Sequence, residues 1–294
     1  MKLQGVFTAI ITPFTKEGDK IDYDSYFRLL QRQMDAGVSG VVPCGTTGES
    51  PTLSYEEHKE LIKKTVEYVN GKILVVAGTG SNSTEEAIHL TKEACRVGVD
   101  AVMLVSPYYN KPTQEGLYRH FKKIAENSSV PVILYNIKGR TGVNIEPETF
   151  LRLQDTKNIV AVKEASGDLN QMIKILKITN HKLTLLSGDD NLIPPVMGIG
   201  GSGVISVASN IYPKKLVKMV DYYLLGDFEK GNQIFYHLFD FMNALFWETN
   251  PIPVKAAAKI LNFCESTLRL PLCEMDPEKV KKLQILMEQI GADE

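Results

Sequence analysis

Lys163 ends an apolar run, Ile159-Val160-Ala161-Val162, and is followed by Glu164-Ala165-Ser166. A run apolar on both faces reads as a strand buried on both faces, as in a parallel sheet covered by helices. An amine at the carboxyl end of such a strand sits where α/β sheets and barrels place their chemistry. Once neutral, it is a nucleophile toward a carbonyl. Taken alone, Lys163 has a plainer reading, a solvated lysine that happens to follow a strand. At the reference pKa of about 10.4, fewer than about one lysine in a thousand is neutral at pH 7. The chemistry therefore requires a core position that lowers the pKa.

Other residues fall at comparable places. Cys44-Gly45-Thr46-Thr47-Gly48-Glu49-Ser50 combines two glycines, which free backbone N–H groups, with two hydroxyls. That suits a carboxylate or phosphate, and equally a tight turn into a helix capped by Ser54. Tyr108 and Tyr109 are adjacent on a proline-bounded loop and suit a proton relay, an interface anchor or loop packing. Tyr135 ends a strand, and Arg140 follows between glycines. Burial with a hydroxyl partner would explain Tyr135, and a bidentate carboxylate suits Arg140. Asp189 and Asp190 read most simply as the N-cap of the next helix. Thr46, Thr47, Tyr135, Arg140 and Lys163 together supply hydroxyls, a phenol, an arginine and an amine, an inventory for imine chemistry on a keto acid. No Ser/His/Asp or Cys/His constellation accompanies them.

These residues need one scaffold. Apolar strands recur about every 30 residues, at Gly5–Thr12, Gly40–Pro43, Ile73–Ala77, Ala101–Val105, Val130–Tyr135, Ile159–Lys163, Leu183–Ser187 and Gly203–Val207. Helical patterns intervene, with Tyr26, Leu29, Leu30, Gln33 and Met34 as one example. Ser54 with Glu57 and Ser83 with Glu86 have capping-box spacing, and Gly37, Gly71 and Gly98 stand at helix ends. Eight βα units predict an α/β fold, a (β/α)8 TIM barrel over residues 1–224, with a C-terminal helical region over 225–294. Gly198-Ile199-Gly200-Gly201-Ser202-Gly203 matches G-x-G-x-x-G, but it follows a predicted helix and opens a strand. The dinucleotide fingerprint does the reverse. These glycines read as a tight entry to the eighth strand.

Composition narrows the class. The chain has 294 residues, 33 Lys and Arg against 35 Asp and Glu, and a net charge of −2. That balance argues against nucleic acid or a membrane surface as partner. No apolar run approaches the ~20 residues that span a bilayer. The N-terminus passes almost directly into a strand, so a cytoplasmic chain is expected. Cys44, Cys95, Cys264 and Cys273 lack metal spacing and read as free thiols, and the five histidines are scattered. No metal and no cofactor are expected.

Gly45-Thr46-Thr47-Gly48-Glu49-Ser50, Tyr108-Tyr109-Asn110, Tyr135-Asn136 with Arg140-Thr141-Gly142, and Lys163-Glu164-Ala165 resemble the pyruvate-dependent class I aldolases. The resemblance is closest to their dihydrodipicolinate synthase family. It extends over essentially the whole chain, including Leu186-Ser187-Gly188-Asp189-Asp190 and Glu248-Thr249-Asn250-Pro251-Ile252-Pro253-Val254-Lys255. It implies condensation of pyruvate with L-aspartate 4-semialdehyde to 4-hydroxy-tetrahydrodipicolinate, a step of lysine and diaminopimelate biosynthesis. Lys163 would form the Schiff base. Tyr135, Thr46 and Tyr109 would relay protons, with Tyr109 supplied by a neighbouring subunit. Thr47 would hold the pyruvate carboxylate, Arg140 would bind the semialdehyde, and Gly188 and Ile205 would line the pocket through their backbones. The implied assembly is a homotetramer, a dimer of dimers.

Two departures from the family pattern stand out. Lys138 occupies a place where proline is common. The lysine-feedback cleft of regulated members would map to Ser50, Pro51, Leu53, Tyr55, His58, Asn82, Glu86 and Tyr108. Sensitive members typically carry a small residue in place of Pro51 and often histidine in place of Tyr55, so weak or absent inhibition by L-lysine is expected. Sister aldolases of N-acetylneuraminate or 2-keto-3-deoxy sugar acids share the Schiff-base machinery. Arg140 and the tyrosine pair favour instead a small second substrate that carries a carboxylate. A keto-acid-binding barrel without turnover would be expected to lack Lys163 or Tyr135. A pyridoxal-phosphate enzyme would need a phosphate site beyond the Gly45–Gly48 loop.

Overall fold

A computed structural model describes residues 3–293. In chain order the elements are β1 (Gly5–Thr8), α1 (Tyr23–Asp35), β2 (Gly40–Val41), α2 (Tyr55–Val69), β3 (Leu74–Gly78), α3 (Thr84–Arg96), β4 (Ala101–Val105), α4 (Gln114–Glu126), β5 (Val132–Asn136), α5 (Lys138–Thr141), α6 (Pro147–Leu153) and β6 (Ile159–Glu164). There follow α7 (Leu169–Ile178), β7 (Thr184–Ser187), α8 (Ile193–Gly198), β8 (Gly203–Ser206), α9 (Pro213–Leu224), α10 (Phe228–Ala244), α11 (Ile252–Ile260) and α12 (Pro277–Ile290). Each strand pairs in parallel with the next, and β8 returns to β1, closing a (β/α)8 barrel.

Strand alternation divides the side chains into two layers. Phe7, Val42, Val76, Met103, Ile133, Tyr135, Ala161, Leu186 and Ile205 fill the barrel. Their neighbours along the strands, such as Val102, Leu134 and Val162, meet the surrounding helices. Both layers are apolar, which is why the strand sequences do not alternate.

Local signals act as their chemistry dictates. Ser54 accepts from the Glu57 amide, and Glu57 returns a bond to the Ser54 amide, a complete capping box. Ser83 caps α3 in the same way, but the Glu86 carboxylate turns instead to the Ser81 hydroxyl. The first strand is shorter than its apolar run. Asn210 takes over beyond Thr8, donating to the Ala9 carbonyl at 2.8 Å and accepting from the Ile11 amide at 3.1 Å. The glycine cluster leads from α8 into β8 and starts no helix. A Cβ on Gly203 would lie 2.0 Å from the Gly5 carbonyl oxygen, so this close strand approach admits only glycine.

One expectation is corrected. Asp189 stands at the N-cap position of the turn that follows, but its side chain makes no capping bond there. Asp190 Oδ2 instead accepts from the Val207 and Ala208 amides, at 3.0 and 2.9 Å, across the barrel mouth beyond β8. Two free amides at the end of a neighbouring strand are a better use of a buried carboxylate than its own short turn.

The last helices pack back on the barrel. Asp293 accepts from the Lys214 and Lys215 amides at the start of α9 and lies 3.1 Å from Arg32. Among the described residues, no helix is long and apolar enough to cross a membrane.

Candidate active site

Lys163 and Tyr135 are register partners on adjacent strands. Alternation turns both side chains inward at the carboxyl end of the barrel. The Lys163 ammonium nitrogen lies 4.1 Å from the centre of the Tyr135 ring, and Lys163 is only 5% exposed. Removal from water disfavours the charged amine and lowers its pKa to about 8. Asp189 and Asp190 pull it back up, and the Arg140 charge adds to the lowering. Burial raises the Tyr135 phenol to about 12, against the opposing effects of Arg140 and the Thr46 hydroxyl beside it.

Gly188, at the end of β7, leaves room for this lysine. A Cβ there would stand 2.5 Å from the Ala165 Cβ and 3.2 Å from the Lys163 Cε. Ile205 on β8 is fully buried in the same interior layer. Asp189 is the charge that acts most strongly on the amine. Desolvation holds its carboxyl up at about 6, and Lys163 is the main influence in the other direction.

The carboxylate-binding candidates are joined by a residue far along the chain. Asn250 donates its side-chain amide to the Thr47 hydroxyl at 2.9 Å. Its backbone carbonyl accepts from Arg140 Nη2, also at 2.9 Å. Arg140 lies on the one-turn helix α5, whose Lys138 occupies the first helical position. Proline would also be favoured there. The turn is held without it, because the Thr141 hydroxyl donates to the Ile137 and Val143 carbonyls.

The loop bearing Thr46 and Thr47 is clasped from the C-terminal helices. Glu49 is buried with a left-handed backbone (φ 55°), and the Lys255 ammonium reaches it at 2.6 Å. The Arg269 amide donates to the other Glu49 oxygen, and the Arg269 guanidinium grips Glu57 through both nitrogens.

Tyr109 stands apart. It is 90% exposed, with φ 71°. Beside the site opens a cavity of about 400 Å³, lined by Thr46, Arg140, Ser50, Tyr55, His58 and Glu86, with Pro51, Leu53 and Tyr108 in the same wall. The mapped cleft thus shares Thr46 and Arg140 with the candidate site. Asn82 is not in that wall; its carbonyl accepts from Asn110 instead.

Sequence reasoning gave no site role to Asn250, Glu164 or the Glu49–Lys255 pair, and read Asp189 only as a helix cap. Asn250 and Lys255 stood in a quoted motif with no chemistry of their own. Only the fold brings them to residues some 200 positions away.

The model of the dihydrodipicolinate synthetase family matches residues 2–290. A 4-hydroxy-tetrahydrodipicolinate synthase of Leptospira biflexa is 57% identical over 293 residues, covering 98% of this chain and 99% of that protein. The enzyme of that name from Methanocaldococcus jannaschii is 51% identical over 289 residues, at 98% and 99% coverage. The crystal structure of the chloride-inhibited dihydrodipicolinate synthase from Acinetobacter baumannii complexed with pyruvate superposes with a TM-score of 0.96 at 40% identity, covering 98% of this chain and 99% of that one.

Proposed function

The chain belongs to the dihydrodipicolinate synthetase family, and on that premise we propose that Lys163 is the amine through which it performs the family reaction. It is a lyase that condenses pyruvate with L-aspartate 4-semialdehyde to 4-hydroxy-tetrahydrodipicolinate, in lysine and diaminopimelate biosynthesis.

The neutral Lys163 amine attacks the pyruvate ketone, and the carbinolamine hydroxyl, protonated through the relay, leaves as water to give an iminium ion. Thr47 and the backbone amides of its loop hold the pyruvate carboxylate. The iminium acidifies the pyruvate methyl group, whose proton passes to the Tyr135–Thr46 relay as the C–H electron pair neutralises the nitrogen. The resulting enamine carbon attacks the aldehyde of the second substrate, whose carboxylate Arg140 receives. Tyr135 and Thr46 carry protons between the reacting oxygens and solvent, and Tyr109 of a neighbouring subunit completes that relay. Gly188 and Ile205 line the pocket with backbone groups. The product is cyclic, so the semialdehyde's own amine displaces Lys163 from the imine carbon and frees the enzyme.

What supports this most is a buried amine with a lowered pKa, 4.1 Å from a phenol ring in strand register. Borohydride reduction in the presence of pyruvate, followed by peptide mass mapping, tests it. A pyruvyl adduct on Lys163 is expected. An unmodified Lys163, or an adduct on a different lysine, would remove the mechanism.

The same proposal covers what lies around the site. The catalytic barrel spans 1–224, and the helical region 225–294 closes one wall. The assembly is a homotetramer in the cytoplasm. The cleft at Ser50, Tyr55, His58, Asn82, Glu86 and Tyr108 responds weakly or not at all to L-lysine.

A further inference from the structure

Glu164 follows Lys163 on β6 and points the other way, out of the barrel. It is completely buried. Its two oxygens accept from three neutral groups. Asn136 Nδ2 reaches both at 3.1 Å, Gln171 Nε2 reaches Oε2 at 2.9 Å, and the Ser166 amide reaches Oε1 at 2.8 Å. The reaction as proposed gives this carboxylate nothing to do. A buried charge held only by neutral donors is expensive to keep, and removing one of its partners is expensive too.

The network is oriented from its ends. The Ile145 amide donates to Asn136 Oδ1 at 3.0 Å, which forces the Asn136 amide nitrogen toward Glu164. The Ser166 amide is a fixed donor at the other end. Asn144 closes the ring, accepting from Asn136 at 2.8 Å and from Gln171 at 3.2 Å, and donating to Gln171 at 2.6 Å. Two ends are backbone N–H groups and the third is the Glu146 carboxylate, which accepts from Asn144 at 3.1 Å; around Glu164 itself every neighbour donates, so residue 164 must accept on both oxygens. Only a carboxylate satisfies that balance.

The residues so fastened are the neighbours of the reacting ones. Asn136 follows Tyr135, Glu164 follows Lys163, and the pairs lie opposite each other in register. Residues 137–145, which carry Arg140, hang between Asn136 and the Ile145 amide.

We propose that Glu164 is a positioning residue: its carboxylate locks the ends of β5 and β6 and the loop of Arg140, and so sets Tyr135 and Arg140 relative to Lys163. This rests on the role given to Lys163 above.

Glu164→Gln tests it. A carboxamide puts an NH2 against a donor. Turning Gln171 and then Asn144 only moves that donor–donor contact along to Asn136. Displacement of about an ångström at a reacting centre is enough for a large rate loss, so kcat should fall about tenfold or more. The KM for the semialdehyde should rise as the Arg140 loop loosens, and the pH midpoint of adduct trapping should move.

The double variant Glu164→Gln with Gln171→Glu supplies the rescue. The carboxylate then sits one link further along and accepts from the new amide and from Asn144. Two of the longer contacts are lost, the 3.2 Å bond from residue 171 to Asn144 and one of the two 3.1 Å bonds from Asn136 to residue 164. It should recover much of the lost kcat and the original pH midpoint. A single variant with unchanged kcat, KM and pH profile would overturn the proposal, as would a double variant that folds without recovering activity. Should the single variant fail to fold, the double variant alone decides, by its pH midpoint and kcat. Pyruvate trapping on Lys163 in the unaltered protein is read in parallel, so failure of the Schiff-base role is distinguished from failure of this one.

Discussion

A lysine does this chemistry only when it can be neutral near physiological pH, and the barrel interior supplies that. With a pKa of about 8, about one amine in ten is neutral at pH 7. The sign follows directly. Lowering the pH through the value protonates the nucleophile and slows attack; raising it frees the amine. The rate of adduct formation with pyruvate should climb about tenfold per pH unit below about 8 and level off above, as read by quenched borohydride trapping. A flat profile would show that the amine is not what titrates. Asp189, with its carboxyl near 6 beside the same amine, couples to that titration. For Tyr135→Phe, the ring stays and the proton carrier goes. Turnover should fall by about a hundredfold or more while the protein still folds, measured by steady-state kinetics beside circular dichroism.

At the scale of elements, the β2–α2 loop is held from the far end of the chain. Glu49 and Lys255 are both buried, and burial, helped by the Arg269 charge, lowers the Lys255 pKa against the pull of Glu49. Removing one partner strands a charge, so Lys255→Met should lower stability by about 3–5 kcal/mol in urea unfolding. Replacing both by Met should cost much less stability, since the lone charge is gone. The pair's positional effect on Thr46 and Thr47 would still be lost, and the pyruvate KM of the double variant should rise. Equal stability of the single and double variants would contradict the account. At Gly188 a new Cβ would push on Ala165 and Lys163 together. Gly188→Ala should therefore lose most Schiff-base formation, checked by the same trapping.

At the scale of the molecule, two features look outward. Tyr109 is a large aromatic held out in solvent on a strained backbone, a conformation that persists when surroundings over-determine it. If a neighbouring subunit uses it, variants Tyr109→Phe and Lys163→Ala should complement each other. Mixed oligomers prepared by co-refolding should then be more active than either parent. Activity no higher than the parents would confine Tyr109 to its own chain. In the cleft beside the mouth, lining groups already have partners of their own. The Tyr55 ring packs on His89 at 5.2 Å and receives the Lys59 ammonium at 5.6 Å, and Glu86 is engaged by Ser81. Initial rates should therefore change little as L-lysine is raised into the millimolar range. A saturating inhibition curve there would reverse this expectation.

The amino-acid sequence by itself determined the barrel, because strand and helix periods are local properties of short windows. Eight apolar runs spaced by amphipathic helices admit few other closures. It also determined which side chains end the strands, and so placed Lys163, Tyr135 and Thr46 near one mouth. The tertiary structure alone decided which polar groups meet. Asp190 answers two amides just beyond β8, Asn250 links Thr47 to Arg140, Lys255 reaches Glu49, and Glu164 gathers three elements. Each of these is a hydrogen bond or ion pair between residues whose separation along the chain carries no period. A buried donor or acceptor must find a partner somewhere, but which partner is settled only when the elements are packed.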